Sequence, residues 1–301
     1  MCGIAGIFFK TQSSNQVLGK ALVDMLDGCQ HRGPDSTGFA LYEDDVEGLR
    51  LRFIVDGDDP EAAIARIRAA LADHGATIAK EKHEGATWVV DVHYAGEIRP
   101  FAYAMEHAAK LVSIGTALDI VKDVGTSHDL DATYRIGSIH GSHGIGHVRL
   151  ATESEVKPEA AHPFWATGFA DVAIVHNGQI TNYWKMRRRL EARGFEFRTD
   201  NDSELIAVYV ADKLAQGVKL ETALERSVDD LDGTFSFLVS TKDGIGFAKD
   251  RLAAKPMVMY EDDSLVAIAS EEVSLNRLFP GRPLSTTEPA PGTFRTWSRS
   301  I

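Results

Sequence analysis

A cysteine stands second in the chain, in Met1-Cys2-Gly3-Ile4-Ala5-Gly6, so removal of the methionine leaves one residue with both a thiol and a free α-amine. The thiolate is the reactive form, and a thiol of ordinary pKa, about 8.5, is mostly protonated at neutral pH. An α-amine of pKa roughly 7.7 accepts that proton without help from a histidine. The pair suits acyl transfer through a thioester. A lipid anchor is disfavoured, because the apolar run to Phe9 is too short for a signal peptide and lacks a basic start. On Cys2 alone, a structural cysteine opening a strand stays open.

Further polar motifs follow in order. Gln30-His31-Arg32-Gly33-Pro34-Asp35 comes after an apolar helical pattern at Leu18, Leu22, Met25, Leu26 and Cys29, and Gly146-His147-Val148-Arg149-Leu150-Ala151-Thr152 comes later. Ala161-His162-Pro163-Phe164, His176-Asn177-Gly178-Gln179, Thr199-Asp200-Asn201-Asp202-Ser203-Glu204 and Leu231-Asp232-Gly233-Thr234-Phe235 complete the series. Together with Cys2 they make the chain resemble the class II glutamine amidotransferases, whose domain is an N-terminal-nucleophile hydrolase. A narrower likeness is carried by Ser113-Ile114-Gly115, Lys122-Asp123-Val124-Gly125, Lys249-Asp250-Arg251-Leu252-Ala253-Ala254-Lys255-Pro256 and Ala269-Ser270-Glu271-Glu272. These are similar to the glutaminase subunits of glutamate-synthase-like complexes, including that of N-methylglutamate synthase.

The resemblance implies a role for each motif. Cys2 is the nucleophile, and Asn177 with the backbone N–H of Gly178 forms the oxyanion hole, where preorganised donors meet the developing charge. Taken alone, Asn-Gly also reads as a tight turn. Arg149 binds the substrate α-carboxylate, a task that suits a planar guanidinium, and Thr152 supplies a hydroxyl to the same group. Glu153, where relatives carry His or Asn, adds an acid beside that pocket. Asp202 pairs with the substrate α-ammonium, and is also placed to start a helix near Ser203; the two roles are compatible. Arg32 and Gly33 belong to a mobile flap over glutamine, or else to an ordinary Gly-Pro turn.

His31, His147, His162 and His176 lack zinc-ligand spacing, and each sits in a motif that uses no metal. The glycines at 141–146 and 244–246 lack the lysine of a P-loop and the acid of a dinucleotide fingerprint. A net charge of −12 argues against nucleic acid, whose binding depends on Lys and Arg. The Arg187-Arg188-Arg189 cluster reads as a solvated or docking helix face. With only 2 cysteines, one of them assigned to catalysis, no disulfide framework is implied, and a cytoplasmic location fits. No apolar run reaches the roughly 18 residues of a membrane span.

These residues need a scaffold. Short strands are expected at 4–9, 38–42, 172–175, 234–241, 244–248, 257–260 and 265–269, with amphipathic helices at 183–193, 203–216 and 220–231. Many short strands and few helices indicate α+β, and the resemblance makes this a four-layer αββα sandwich over residues 2–285. Residues 46–111 read as an α+β insert with strand 49–55, helix 60–74, a hairpin around Glu84-Gly85 and helix 100–110, serving packing, a dimer contact or partner docking. The Pro-rich tail, 286–301, is expected to wrap a surface.

The expected function is a glutaminase subunit that hydrolyses L-glutamine and delivers ammonia to partner synthase subunits. This follows from a chain filled by the amidotransferase domain, with no room for an acceptor domain. FMN and an iron-sulfur cluster would lie on the partner, with no cofactor on this chain. The alternatives are a free-standing amidohydrolase acting on a γ-glutamyl amide, and a catalytically idle regulatory subunit.

Overall fold

The computed structural model describes residues 2–11, 17–55, 57, 59–151 and 156–299. β1 (Gly3–Phe9) is buried at every position, so both of its faces are covered. α1 (Leu18–Gly28) follows the expected stripe, burying Leu18, Leu22, Met25 and Leu26, and a 3₁₀ turn over Gln30–Arg32 leads into β2 (Ser36–Tyr42). Next come β3 (Leu49–Ile54), α2 (Pro60–Asp73), β4 (Thr77–Glu84), β5 (Thr87–His93), α3 (Ile98–Ala108), β6 (Leu111–Gly115) and β7 (Leu118–Val124). Asp59 caps α2, accepting the Ala62 N–H at 2.9 Å, and Pro60 opens the helix, where a missing N–H costs nothing.

α4 (Ser127–Tyr134) begins with a capping box between Thr126 and Asp129. It is followed by β8 (His143–Arg149), β9 (Phe164–Trp165), β10 (Val172–Ile180), α5 (Tyr183–Glu191), α6 (Asp202–Ala215) and α7 (Leu220–Asp230). The chain continues through β11 (Gly233–Thr241), β12 (Gly244–Lys249), β13 (Val258–Glu261), β14 (Leu265–Ala269), α8 (Glu272–Asn276) and β15 (Phe294–Ser298).

The strands form a six-stranded sheet, β13-β14-β1-β8-β2-β7, a five-stranded sheet, β15-β12-β11-β10-β9, and a four-stranded sheet, β4-β5-β3-β6. The period-two alternation of β1 shows how the first two stack. Ile4 and Phe8 join a core with Ala173, Val175, Leu238 and Ile245 of the five-stranded sheet, whereas Ala5, Ile7 and Phe9 pack with Leu18, Leu22 and Leu26 of α1. β10 divides the same way: Val172 and Ile174 face the helical layer of Leu205, Tyr209 and Leu224. The result is the αββα arrangement expected for the N-terminal-nucleophile fold.

Three features depart from the sequence reading. The Pro-rich tail ends in a strand: β15 pairs antiparallel with β12 and buries Trp297 at the sheet edge. The third sheet includes β6, which pairs with β3 and extends past the expected boundary at residue 111. Arg187 is no solvated cation; it joins Tyr183 Oη, the Thr199 carbonyl, Asp200 and Glu191, while Arg188 and Arg189 are exposed.

Candidate active site

β1 carries Cys2 to the end of the six-stranded sheet. Gly3 pairs with Val148, so one further step along this register sets Cys2 alongside Arg149. The thiol is half-buried and makes a weak contact, 3.8 Å, with the Leu150 carbonyl. The Cys2 carbonyl accepts from Arg32 Nε at 3.0 Å and from Asn177 Nδ2 at 3.1 Å. Arg32 is in turn paired with Glu271, whose second oxygen lies 3.0 Å from His31 Nε2. Arg32 and Gly33 thus stand beside the nucleophile. Arg32 is buried against the nucleophile's own backbone, and a Cβ on Gly33 would lie 2.4 Å from Arg149 N, so only glycine lets this turn rest on β8.

Asn177 and Gly178 lie inside β10, paired with Ser236 and Phe235 of β11, which rules out the tight-turn reading. Gly178 has φ of 141°, and a Cβ there would sit 1.9 Å from the Thr234 carbonyl oxygen. The Asn177 amide is gripped at both ends. Its Nδ2 also donates to Ser270 Oγ at 3.3 Å, and Ser270 Oγ accepts the Ile4 N–H at 3.0 Å. Its Oδ1 lies 3.3 Å from His147 Nε2, a contact that requires the proton on Nε2. Burial, with His176 and Arg149 adding to it, pulls His147 down to about 3 against the opposing Asn177 bond, so the ring is neutral.

Asp202 opens α6 behind an Asn201 cap that accepts the Ser203 N–H at 2.9 Å. Its Oδ2 accepts the Ile180 N–H at 2.9 Å, and Oδ1 lies 3.4 Å from His176 Nδ1. Burial alone would raise this carboxyl; the His176 and Ile180 contacts hold it below the usual range. Ser203 Oγ meets His162 Nε2 at 2.7 Å and His176 Nδ1 at 3.1 Å, and the His162 ring stacks on His147 with centroids 4.1 Å apart. His162 and His176 thus line the cleft, with His147 packed behind His162.

Cys2, Arg32, Arg149, Asn177, Gly178 and Asp202 line a single cleft of about 980 Å³, with Gly33 packed beneath Arg149. Thr152 and Glu153 lie outside the described residues. Sequence reasoning assigned no site role to His147, Ser270 or Glu271, although each stood within a quoted motif. Their function is to hold Asn177 and Arg32, which only the tertiary fold reveals. A thiol at a strand end, fixed amide donors, a guanidinium and a carboxylate in one cleft form the equipment for acyl transfer from an amino-acid amide.

A family model described as glutamine amidotransferase domain matches residues 147–277. A protein named putative glutamine amidotransferase, from Methanothermobacter thermautotrophicus, is 38% identical over 287 residues, covering 92% of this chain and 94% of its own. The glutamine amidotransferase-like protein GlxB of Rhizobium meliloti is 38% identical over 299 residues, covering 99% and 98%. Among solved structures, the allosteric regulatory enzyme of purine biosynthesis superposes with a TM-score of 0.64 at 18% identity, over 99% of this chain and 47% of that one. This chain spans about half the length of that structure, and the likeness concerns the fold alone. With Cys2, Asn177 and Arg149 in one cleft of an αββα sandwich, and with near end-to-end relatives of this kind, the chain belongs to the glutamine amidotransferase family, as a class II enzyme domain of the N-terminal-nucleophile type.

Proposed function

We propose that the chain is a glutaminase that hydrolyses L-glutamine at Cys2 and hands ammonia to a synthase subunit of the glutamate-synthase type. The observation that carries the reading is the clamp on Cys2: its carbonyl is held by Asn177 Nδ2 and Arg32 Nε in a cleft that also contains Arg149 and Asp202. The reading requires removal of Met1. The α-amine of Cys2 then takes the thiol proton, and the sulfur attacks the δ-carbon of glutamine. The tetrahedral oxyanion is met by Asn177 Nδ2 and the Gly178 N–H. In the free structure Nδ2 is engaged with Cys2 O and Ser270 Oγ, and catalytic hydrogen bonds commonly tighten onto substrate only in the complex.

Collapse expels the amide nitrogen, which leaves as ammonia with the proton returned from the α-amine, and a γ-glutamyl thioester remains. Water, deprotonated by the same amine, releases glutamate and restores the thiol. Arg149 and Thr152 would hold the substrate α-carboxylate and Asp202 its α-ammonium. The segments of narrower likeness support the choice of partner. Ser270 and Glu271 support the nucleophile, and Lys255 and Pro256 line the cleft. FMN and an iron-sulfur cluster would belong to that partner. The test is the initial rate of glutamate release from L-glutamine, with and without the candidate synthase subunit. The wild type should be active and accelerated by the partner, and Cys2→Ala inactive. Equal rates in wild type and Cys2→Ala would refute the role of the thiol.

A further inference from the structure

α3 belongs to the third sheet, yet one of its faces packs on the segment that leads to the glutamine cleft. Ile98, Phe101, Ala102 and Met105 pack into the core of their own sheet. Arg99, Tyr103 and Glu106 recur at helical spacing on another face. This second stripe meets the segment that joins α5 to α6. The Arg99 guanidinium lies 4.2 Å from the Phe195 ring centroid and 5.1 Å from that of Phe169. Tyr103 Oη accepts the Glu196 N–H at 3.0 Å. Glu106 pairs with Arg198 at 3.3 Å, and Arg198 also donates to the Leu111 carbonyl. Just beyond the helix, Lys110 pairs with Glu159, next to Ala160 on a second wall of the cleft.

The segment reached in this way bears on the substrate. Thr199, Asp200, Asn201 and Asp202 line the cleft. Buried Glu204 ties the Arg198 and Thr199 N–H groups to α6 at 2.9 and 2.8 Å. Arg198 thus has its backbone on the amidotransferase layers and its side chain on α3, so any shift of α3 moves the residues leading to Asp202.

We infer that α3 is a positioning element for the glutamine pocket, with Tyr103 and Glu106 as the positioning residues that set the segment 195–202. The inference rests on the reading of this cleft as the glutamine site. It assigns the third sheet a part in the chemistry of the same chain, whatever else docks on it.

The experiment uses the full chain with Tyr103→Phe, Glu106→Gln and the pair together. It measures KM and kcat for glutamine, thermal midpoint, and amide hydrogen exchange at 196–202. The double variant should raise KM about tenfold, the loss expected for charge-assisted and neutral hydrogen bonds together. Its kcat should stay near wild type, and exchange should quicken at 196–202 but not in β1 or β10. Unchanged KM and unchanged exchange overturn the inference, as does a fall in kcat and midpoint with no local change in exchange, which is plain destabilisation. A wild type that does not hydrolyse glutamine would overturn the glutamine reading instead, and the exchange data, which need no substrate, would still decide whether α3 positions the segment.

Discussion

At the scale of single residues, the account turns on how the Asn177 amide is held. An amide gripped at one end flips at little cost; here His147 Nε2 faces Oδ1 while Ser270 Oγ and Cys2 O face Nδ2. Reversing it would aim donor at donor. Asn177→Ala is expected to lower kcat by about 10² to 10³, the usual loss for one oxyanion donor, with KM little changed. His147→Leu should lose part of the same factor, and His147→Gln, which can still present a donor near the Nε2 position, should recover most of it. If both His147 variants match the wild type in kcat, the imidazole does not orient the amide. Because burial holds His147 down at about 3, its ionisation should also be absent from the pH–kcat profile between pH 5 and 8.

At the scale of elements, the sheet edges decide what holds the site together. β15 closes the five-stranded sheet by pairing with β12, and its Trp297 packs on Phe247 with ring centroids 6.0 Å apart. Truncation after residue 292 should expose the β12 edge, lower the thermal midpoint by several degrees and promote aggregation. An unchanged midpoint would show that β15 adds nothing. The tail escaped sequence reading because its prolines and glycine dominate the segment, and Phe294-Arg295-Thr296-Trp297-Ser298 is too short to announce a strand against them. β8 was missed for a related reason, since glycines at 144 and 146 interrupt its apolar alternation. Elements with plain periodicity, namely α1, α2, β4, β5 and α5 to α7, were legible to within a few residues. So was the membership of the cleft, because Cys2, Arg149, Asn177, Gly178 and Asp202 stand in motifs. The supports contributed by Ser270, Glu271 and α3 come from positions far apart in the chain, and no local pattern marks such pairings.

At the scale of the whole molecule, three buried histidines make stability depend on pH. Burial pulls His143 to about 4, His147 to about 3 and His162 well below 6.5. The unfolded chain takes up protons near pH 6.5, whereas the folded chain does not until much lower pH. The stability is therefore complete above about pH 6.5 and declines as pH falls toward those depressed values, by roughly 1.4 kcal/mol per pH unit for each histidine. Urea unfolding at pH 7.5, 6 and 5 should show the midpoint falling at each step; a midpoint flat to pH 5 would mean that these rings are not buried neutral in solution. Among the described residues, no helix is long and apolar enough to cross a membrane. The central claim, that Cys2 is the nucleophile of a glutamine site, is tested most directly by labelling the processed full chain with a glutamine analogue bearing an electrophilic carbon at the δ-position, then mapping the adduct by peptide mass spectrometry. The account predicts one adduct, on Cys2, blocked by excess L-glutamine and not by D-glutamine; labelling of Cys29 instead, or labelling of Cys2 that L-glutamine leaves untouched, would contradict it.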